Sequence, residues 1–290
     1  MTQERQWKLS MMMVCAMITW GLSWTNAKIL GTYADAPLIM FWRFVLASIC
    51  FFFIARFRVS LKIPIKAIPI IVTNSIFMVL YNFFYFKGTQ IGLAGTGGVL
   101  VTTLNPILTT IFLSFFKHDS LPRKDWVGLS IGLLAGSVIL NVWDLDFFSF
   151  YNSGNLFFIL ASLSWVAVTI TTSKSKEKIS FLSYSFWTFL FSAFISMIFV
   201  SSNSLLSIFS FDLLFWFNLI ILSIFAMAFG TSIYFYASTE LGPKKASSYI
   251  FLVPFTAILF SMYFLGEPFQ VSTLLGGALG ALSVYLININ

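Results

Sequence analysis

The sequence predicts an all-α polytopic membrane protein with ten transmembrane helices arranged as two inverted five-helix repeats. Three observations lead to this prediction: the composition, the length of the apolar runs, and an ordered set of matches between the two halves. Hydrophobic residues make up 59% of the 290 residues and charged residues only 9%. Soluble domains contain about 25% charged residues. The chain lacks the polar surface that water requires, so its outer surface must largely face lipid.

Composition also argues against several classes of partner. The net charge of +7 could suggest nucleic acid, but the cations lie between apolar runs and do not form one basic face. Cys15 and Cys50 lie inside apolar runs, which argues against a disulfide framework. The single histidine, His118, offers no metal-ligand set. We therefore expect a lipid bilayer and a small-molecule substrate as partners, with no nucleic acid, metal or cofactor.

Ten apolar runs are long enough to cross a bilayer, which takes about 20 mostly apolar residues. The stretches between them are too short to fold as a separate soluble domain, so function must reside in the bundle. The predicted spans are 9–31, 36–55, 67–89, 93–116, 125–142, 153–172, 181–201, 212–237, 245–264 and 270–288.

The distribution of charge predicts the orientation, because cytoplasmic loops of membrane proteins carry an excess of Lys and Arg. Cations concentrate in alternate loops, beginning with the N-terminal segment, and the other loops carry acidic residues; Lys28 and Lys87 lie near outer helix ends. Both termini are thus expected on the cytoplasmic side of the cytoplasmic (inner) membrane. The inner cations are Arg5, Lys8, Arg56, Arg58, Lys62, Lys66, Lys117, Arg123, Lys124, Lys174, Lys176, Lys178, Lys244 and Lys245, and the outer acids are Asp35, Asp144, Asp146, Asp212 and Glu267.

The two halves of the chain, 1–144 and 145–290, repeat one another. Short motifs match in the same order in both halves, which is hard to obtain by chance. With five helices each, an odd number, the halves must insert in opposite orientations, a plan known from transporters. The matches pair Phe41-Trp42-Arg43-Phe44 with Phe186-Trp187-Thr188-Phe189, Trp20 with Trp165, Thr89-Gln90-Ile91-Gly92 with Thr239-Glu240-Leu241-Gly242, Asn105-Pro106 with Val253-Pro254, Asp119 with Glu267, and Gly128 and Gly132 with Gly276 and Gly280.

The chain resembles the EamA-type branch of the drug/metabolite transporter superfamily along nearly its whole length. The resemblance rests on Trp20-Gly21, Arg43, Pro106, Pro254 and Gly266-Glu267-Pro268. The first half departs from the last motif, having His118-Asp119-Ser120 there. The resemblance implies a secondary transporter that works by alternating access, and such carriers often export amino acids or related carboxylates. An uptake or exchange carrier for a phosphorylated or nucleotide-like metabolite is the alternative.

Polar and aromatic side chains in the first span are candidates for substrate binding. Thr19, Ser23 and Asn26 form one polar stripe at mid-span. They could bind a desolvated solute or join neighbouring helices, as such groups commonly do in membranes. Trp20 and Trp24 also lie near mid-span, whereas belt tryptophans lie at the interfaces. One of them is expected to line the substrate path and the other to pack.

The prolines of the fourth and ninth spans predict a break in each half. Pro106 cannot donate to the carbonyl of Thr102, and Pro254 cannot donate to that of Ile250. A carbonyl freed inside a membrane needs a side chain, a water or a ligand as its partner. Matching breaks in two halves point to a transport site or a gate, although a kink that serves only packing is the alternative. Thr102 and Asn105 flank the first break.

Arg43 is a cation at depth in the second span. A charge there costs about 3 kcal/mol or more and normally faces the bundle interior. With Lys87, which we expect at a similar depth, it could hold a carboxylate or phosphate; alternatively Arg43 ties helices together and Lys87 snorkels outward. No Asp or Glu occupies a mid-span position, which argues against a hydrophobic-cation pump. The remaining candidate substrate-binding residues are Asn82, Tyr85, Trp165 and Tyr234.

These candidates predict a substrate site between the halves, lined by the first, third, fourth, sixth, eighth and ninth spans. The fifth and tenth spans are expected at the periphery, where their glycines join the two halves or two copies in a homodimer. The sequence offers no nucleophile–base pair, carboxylate dyad or metal set for an enzyme. A channel or a structural membrane protein remains a distant alternative, since channels usually surround an oligomer axis.

Overall fold

The computed structural model describes residues 3–56, 61–117, 123–144, 152–176, 178–201 and 204–288. These residues form ten helices that correspond to the ten predicted spans. Their bounds are α1 Gln3–Leu30, α2 Ala36–Arg56, α3 Ile68–Ile91, α4 Ala94–Lys117, α5 Arg123–Leu140, α6 Asn155–Ser173, α7 Phe181–Met197, α8 Leu213–Glu240, α9 Pro243–Leu265 and α10 Val271–Asn288. Arg58, His118, Asp119, Asp146 and the boundary between residues 144 and 145 lie outside or at the edge of the described ranges.

The helices fit a bilayer by length and composition. Six of them, α2, α3, α4, α6, α8 and α9, are long and apolar enough to cross a membrane, and α5, α7 and α10 contain shorter apolar helices. Helix α1 has 28 residues, but Thr19, Ser23 and Asn26 make its middle more polar. Large apolar side chains such as Phe194, Leu213 and Leu259 are exposed on the outside of the bundle. The protein is thus an all-α polytopic membrane protein.

Helices α8 and α9 are not uniform. In α8 the segments Leu213–Ile220 and Ser232–Glu240 are α-helical, whereas Ile221–Thr231 between them is a π-helix. Helix α9 begins with a short α-helical segment, continues as a 3₁₀-helix over Tyr249–Leu252 and becomes α-helical again at Val253. The sequence pattern indicates neither the π-helix nor the 3₁₀ turn.

The two prolines lie in different helical surroundings. Pro254 follows the 3₁₀ turn in α9, at the start of an α-helical segment, where the missing backbone N–H costs little. Pro106 instead lies inside the uninterrupted helix α4. A proline can be kept within a membrane helix when its surroundings accommodate the lost hydrogen bond, and a proline alone therefore does not fix a break.

Each helix of the first half packs as its counterpart in the second half does, where α1 corresponds to α6, α2 to α7 and so on to α5 and α10. Helix α3 packs on α6 as α8 packs on α1, and α4 packs on α6 as α9 packs on α1. The pairs α2–α7, α4–α9 and α5–α10 each join a helix to its own counterpart. This exchange of partners describes a pseudo-twofold arrangement in which the two halves interlock extensively.

The end of the bundle that carries Asp35, Asp212 and Glu267, here the acidic end, is tied together by contacts between the halves. The carboxylate of Glu267 accepts hydrogen bonds from the backbone N–H groups of Ala94 and Gly95 at 2.7 and 2.9 Å. It therefore caps the N-terminus of α4, where negative charge is favourable. Tyr33 donates to Asp212 at 2.9 Å, so α8 is also linked to the loop after α1.

The opposite end of the bundle, here the basic end, carries Arg56, Lys62, Lys66, Arg123, Lys174, Lys176 and Lys244 among the described cations. Here Ser10 and Tyr249 share a hydrogen bond of 2.7 Å between α1 and α9. Lys176 pairs with Glu240 at 3.2 Å. Most of the described cations lie at the end opposite Asp35, Asp212 and Glu267, as the sequence pattern predicted, although Glu240 lies at the basic end and Lys28 at the acidic end.

Glycines allow α5 and α10 to pack closely within one chain. A Cβ atom on Gly276 would lie 2.3 Å from Ile139 and 2.8 Å from the backbone oxygen of Ala135. A Cβ on Gly132 would meet Ile107 of α4 at 2.4 Å and Ser283 of α10 at 2.8 Å. These glycines join the two halves, as small residues commonly do between membrane helices.

The positions of the charged ends predict a labelling pattern. In a variant with Cys15→Ser and Cys50→Ser, we expect Lys176→Cys to react with a membrane-impermeant maleimide only after the cells are permeabilised. Ser210→Cys, exposed near the acidic end, should react in intact cells because the cation-rich end is retained in the cytoplasm. Labelling of Lys176→Cys in intact cells would contradict the topology.

The α5–α10 interface predicts a stability difference between two glycine substitutions. Gly276→Ala should lower the free energy of unfolding by about 1–3 kcal/mol, because the added methyl group meets both a side chain and backbone. Gly136→Ala is the matched control: its Cβ would meet only Leu104, at an ordinary 3.6 Å. Melting temperatures in detergent measure both effects, and equal values for the two variants would contradict the close packing at Gly276.

Candidate functional site

An interior cavity lies between the two halves. All six predicted lining helices contribute to it, and α2 contributes through Arg43. Neither α5 nor α10 contributes among the described residues. The lining consists of Trp20, Ser23, Trp24, Arg43, Met78, Tyr81, Asn82, Val101, Thr102, Asn105, Trp165, Met227, Thr231 and Val253.

Eight of the thirteen predicted substrate-binding residues line this cavity. They are Trp20, Ser23, Trp24, Arg43, Asn82, Thr102, Asn105 and Trp165. Both tryptophans of α1 are therefore at the wall, where one of them was expected only to pack. Thr19, Asn26, Tyr85, Lys87 and Tyr234 are not part of the lining.

The cavity contains a pair of tryptophans from equivalent positions of the two halves. The rings of Trp20 and Trp165 meet edge to face with their centroids 5.0 Å apart. Residues related by a twofold axis touch each other only close to that axis, so the cavity lies at the pseudo-twofold axis. Tyr81 and Tyr234 extend the cluster, 4.6 and 5.4 Å from the ring of Trp165.

Arg43 brings a positive charge into the wall of the cavity. It is 4% exposed, and its Nη1 donates to Oδ1 of Asn82 at 2.7 Å. The guanidinium carbon lies 5.6 Å from the ring centre of Tyr85 and 5.7 Å from that of Phe86, within the range of cation–π attraction. Its Nε has no hydrogen-bond partner. Among the described residues, no carboxylate lies within ion-pair distance of this guanidinium.

Asn82 and Tyr85 position other groups. The side-chain amide of Asn82 donates to the carbonyl of Met78 at 2.8 Å while its oxygen receives the Arg43 bond. Tyr85 donates to the carbonyl of Ser23 at 2.6 Å and so joins α3 to α1. Tyr234 occupies a comparable place in the second half, where its hydroxyl is 2.9 Å from that of Thr169.

Two residues of the polar stripe join helices. Asn26 donates to Oδ1 of Asn218 at 2.6 Å, a buried bond between α1 and α8. The hydroxyl of Thr19 lies 2.8 Å from the carbonyl of Ala16 and 3.3 Å from that of Phe225. For these two, the alternative of an interhelical contact describes the structure better than exposure to a solute.

The π-helix of α8 is linked to α1 through Trp20. The indole N–H of Trp20 donates to the carbonyl of Ala226 at 2.9 Å. A Cβ on Gly230 would lie 2.8 Å from the same nitrogen, so glycine allows the indole to reach the backbone of α8. π-Helical turns are rare and frequent at functional sites. The sequence carries no periodic signal for one, because most of the residues of this segment are apolar.

Lys87 does not accompany Arg43. Asn82, which binds Arg43, lies five residues before Lys87 in α3, a rise of about 7.5 Å. The hypothesis that Arg43 and Lys87 together hold an anion stays a prediction, and Lys87 lies outside the cavity lining. Of the described residues that line the cavity, Arg43 is the one cation.

Six lining residues were not predicted: Met78, Tyr81, Val101, Met227, Thr231 and Val253. Two of them carry a signal in the repeat. Val253 is the counterpart of Asn105, and Thr231 falls within one residue of the position that matches Asn82 under the Thr89–Thr239 alignment. The apolar residues among the six carry no signal that distinguishes a cavity wall from a lipid-facing surface.

Comparison with known proteins identifies the class to which this fold and cavity belong. The profile of the EamA-like transporter family matches residues 7–141 and again residues 152–289. The uncharacterized transporter YvbV of Bacillus subtilis is 26% identical over 99% of this chain and 94% of its own length. The protein is a membrane transporter. More particularly, it belongs to the EamA-like transporter family.

Other similarities agree with this assignment. A chloroplastic WAT1-related protein of Arabidopsis thaliana is 28% identical over 71% of this chain, which spans only about half of that relative. A transporter of Archaeoglobus fulgidus is 24% identical over 96% of both chains. A solved crystal structure with 18% identity superposes with a TM-score of 0.68 over 97% of this chain and 96% of the other, and supports the fold.

The geometry predicts different consequences for the two cations. Arg43→Ala should abolish transport or reduce it at least 100-fold, because a residue kept charged at such a cost has compensating interactions in the cavity. Lys87→Ala should reduce transport less than threefold, since Lys87 is outside the lining. Uptake or efflux by matched amounts of purified protein in liposomes measures both. Normal stability together with normal transport for Arg43→Ala would contradict a role in binding or in structure.

Proposed function

We propose that this transporter moves a small amino acid or related carboxylate across the cytoplasmic membrane by alternating access, and that export is its physiological direction. The carboxylate of the solute binds Arg43 and the remainder of the solute occupies the aromatic cavity at the pseudo-twofold axis. The observation that carries this proposal is the Arg43 guanidinium, which lines the cavity without a carboxylate partner among the described residues.

The charge of the lining supports a carboxylate over other classes of solute. A buried cation is stable only when it is paired or well hydrogen-bonded, and Arg43 retains an Nε without a partner. A carboxylate can accept two parallel hydrogen bonds from a guanidinium. A phosphorylated solute would bring more negative charge into a cavity with a single lining cation, and a cationic solute would meet like charge.

The architecture supports alternating access. Inverted halves that meet around a central site can exchange conformations, so that the site opens first to one side and then to the other. Contacts between the halves join both ends in this structure, through Glu267 at the acidic end and through Ser10 and Tyr249 at the basic end. For one end to open, the contact at that end must break.

Counterflow in proteoliposomes tests the proposal. Vesicles loaded with one unlabelled compound should accumulate its labelled form transiently, and neutral amino acids should support this exchange while their decarboxylated amines do not. Loss of the carboxylate removes the charged hydrogen bonds to Arg43, each worth about 1.5–3 kcal/mol. Arg43→Lys should retain partial transport with a raised KM, because lysine keeps the charge but not the bidentate geometry.

The same assay separates the alternatives. A channel would equilibrate the label without transient accumulation, since it has no step that binds solute on one side and releases it on the other. Exchange of sugar phosphates or nucleotides in preference to amino acids would overturn the carboxylate assignment. Amines that exchange as well as their parent amino acids would remove the role assigned to Arg43.

A further inference from the structure

The two halves of the cavity wall differ in chemistry although they are related by the repeat. Arg43 corresponds to Thr188 in the second half, and Asn105 corresponds to Val253. Asn105 and Val253 both line the cavity, so the structure offers a direct comparison of equivalent positions. The first half presents Arg43 and the amides of Asn82 and Asn105 beside aromatic and apolar residues, and the second half presents Trp165, Met227, Thr231 and Val253.

The polar atoms of the lining also differ in whether they already have a hydrogen-bond partner within the protein. Ser23 donates to the carbonyl of Trp20, Thr102 to that of Gly98, and Thr231 to that of Ala226. Their hydroxyl hydrogens are thus committed to backbone oxygens. Nε of Arg43, Nε1 of Trp165 and Oδ1 of Asn105 have no hydrogen-bond partner. The first two are donors, and Oδ1 of Asn105 is the acceptor among them.

We propose that the two halves bind different parts of one solute. Arg43 binds the carboxylate, and Oδ1 of Asn105 accepts a hydrogen bond from a donor group on the adjacent carbon, an ammonium or a hydroxyl. The side chain of the solute is apolar and packs against Met227, Val253 and Trp165. This inference rests on the proposed carboxylate transport and specifies its class: α-amino or α-hydroxy acids with apolar side chains.

The physical reason is the cost of an unmatched acceptor. A buried amide oxygen without a donor loses its hydration and gains nothing in return. A solute that brings a donor restores that bond, and an otherwise identical solute without one leaves it unmade. A site built in this way discriminates between the two much more strongly than an apolar pocket discriminates between chain lengths.

Inhibition of counterflow by three compounds tests the two walls separately. Leucine is the reference. 4-Methylpentanoate has the same side chain without the amino group, and alanine keeps the amino group with a shorter side chain. In the natural protein, leucine should inhibit about 10-fold or more strongly than 4-methylpentanoate. Asn105→Leu should reduce that preference to about twofold or less. It should leave the preference for leucine over alanine within about twofold of its natural value.

Val253→Leu should give the reverse result. The larger side chain narrows the second-half wall, so the preference for leucine over alanine should fall about 10-fold. The preference for leucine over 4-methylpentanoate should stay within about twofold, because both have the same side chain. Thr109→Val is the control: Thr109 is buried in α4 one turn beyond Asn105 and does not line the cavity, so it should change neither ratio.

The ratio of inhibition by two compounds, measured on the same variant, does not depend on the fraction of that variant that is folded. If a variant is too slow for counterflow, the same ratios follow from the ligand concentrations that raise its melting temperature in detergent. A leucine to 4-methylpentanoate ratio in Asn105→Leu that equals the natural one overturns the inference, whereas the proposed function stands if Arg43 variants still lose carboxylates. Failure of every carboxylate to inhibit or stabilise the natural protein rejects the proposed function itself.

Discussion

Lipid offers no hydrogen-bond partners, so polar groups in a membrane span must be satisfied inside the protein. Most hydroxyls here meet this constraint locally: Ser48 and Thr110 donate to carbonyls of their own helices, four residues back. Asparagine is too polar for that solution alone, and Asn26 and Asn218 pair across two helices. Arg43 is one of the buried groups that the protein satisfies only in part, and it lines the central cavity.

Much of the fold could be predicted because a bilayer fixes the length of each span and the sign of the loops. The site could be predicted in part, because polar residues inside a span need a reason to be there. The sequence pattern does not distinguish a residue that lines the cavity, such as Ser23, from one that joins two helices, such as Asn26. Both lie on one stripe of α1, yet Ser23 lines the cavity and Asn26 meets Asn218, a partner 192 positions away. The sequence did not indicate the π-helix of α8, because its mostly apolar residues are compatible with either an α-helix or a π-helix.

The contacts between the two halves are of two kinds, one in the glycine-lined interface of α5 with α10 and α4 and the other around the cavity. Glycines hold α5 against α10 and α4 by backbone-level contacts, which leave little freedom to slide. The contacts around the cavity are different in kind, being mostly aromatic rings and side-chain hydrogen bonds such as Trp20 to Ala226. Rings can re-pack without exposing backbone, and the irregular segments of α8 and α9 provide places where a helix can change its winding.

Arg43 and Thr188 occupy equivalent positions of the two halves, yet one is charged and the other is neutral. In a dimer of identical five-helix subunits, any residue near the axis appears twice, and an arginine there would bury two like charges in one low-dielectric interior. Joining the subunits in a single polypeptide removes that obligation, since each copy then mutates separately. Two halves within one polypeptide can therefore differ, so that one wall of the cavity carries a cation and the other does not, which no strictly symmetric assembly allows.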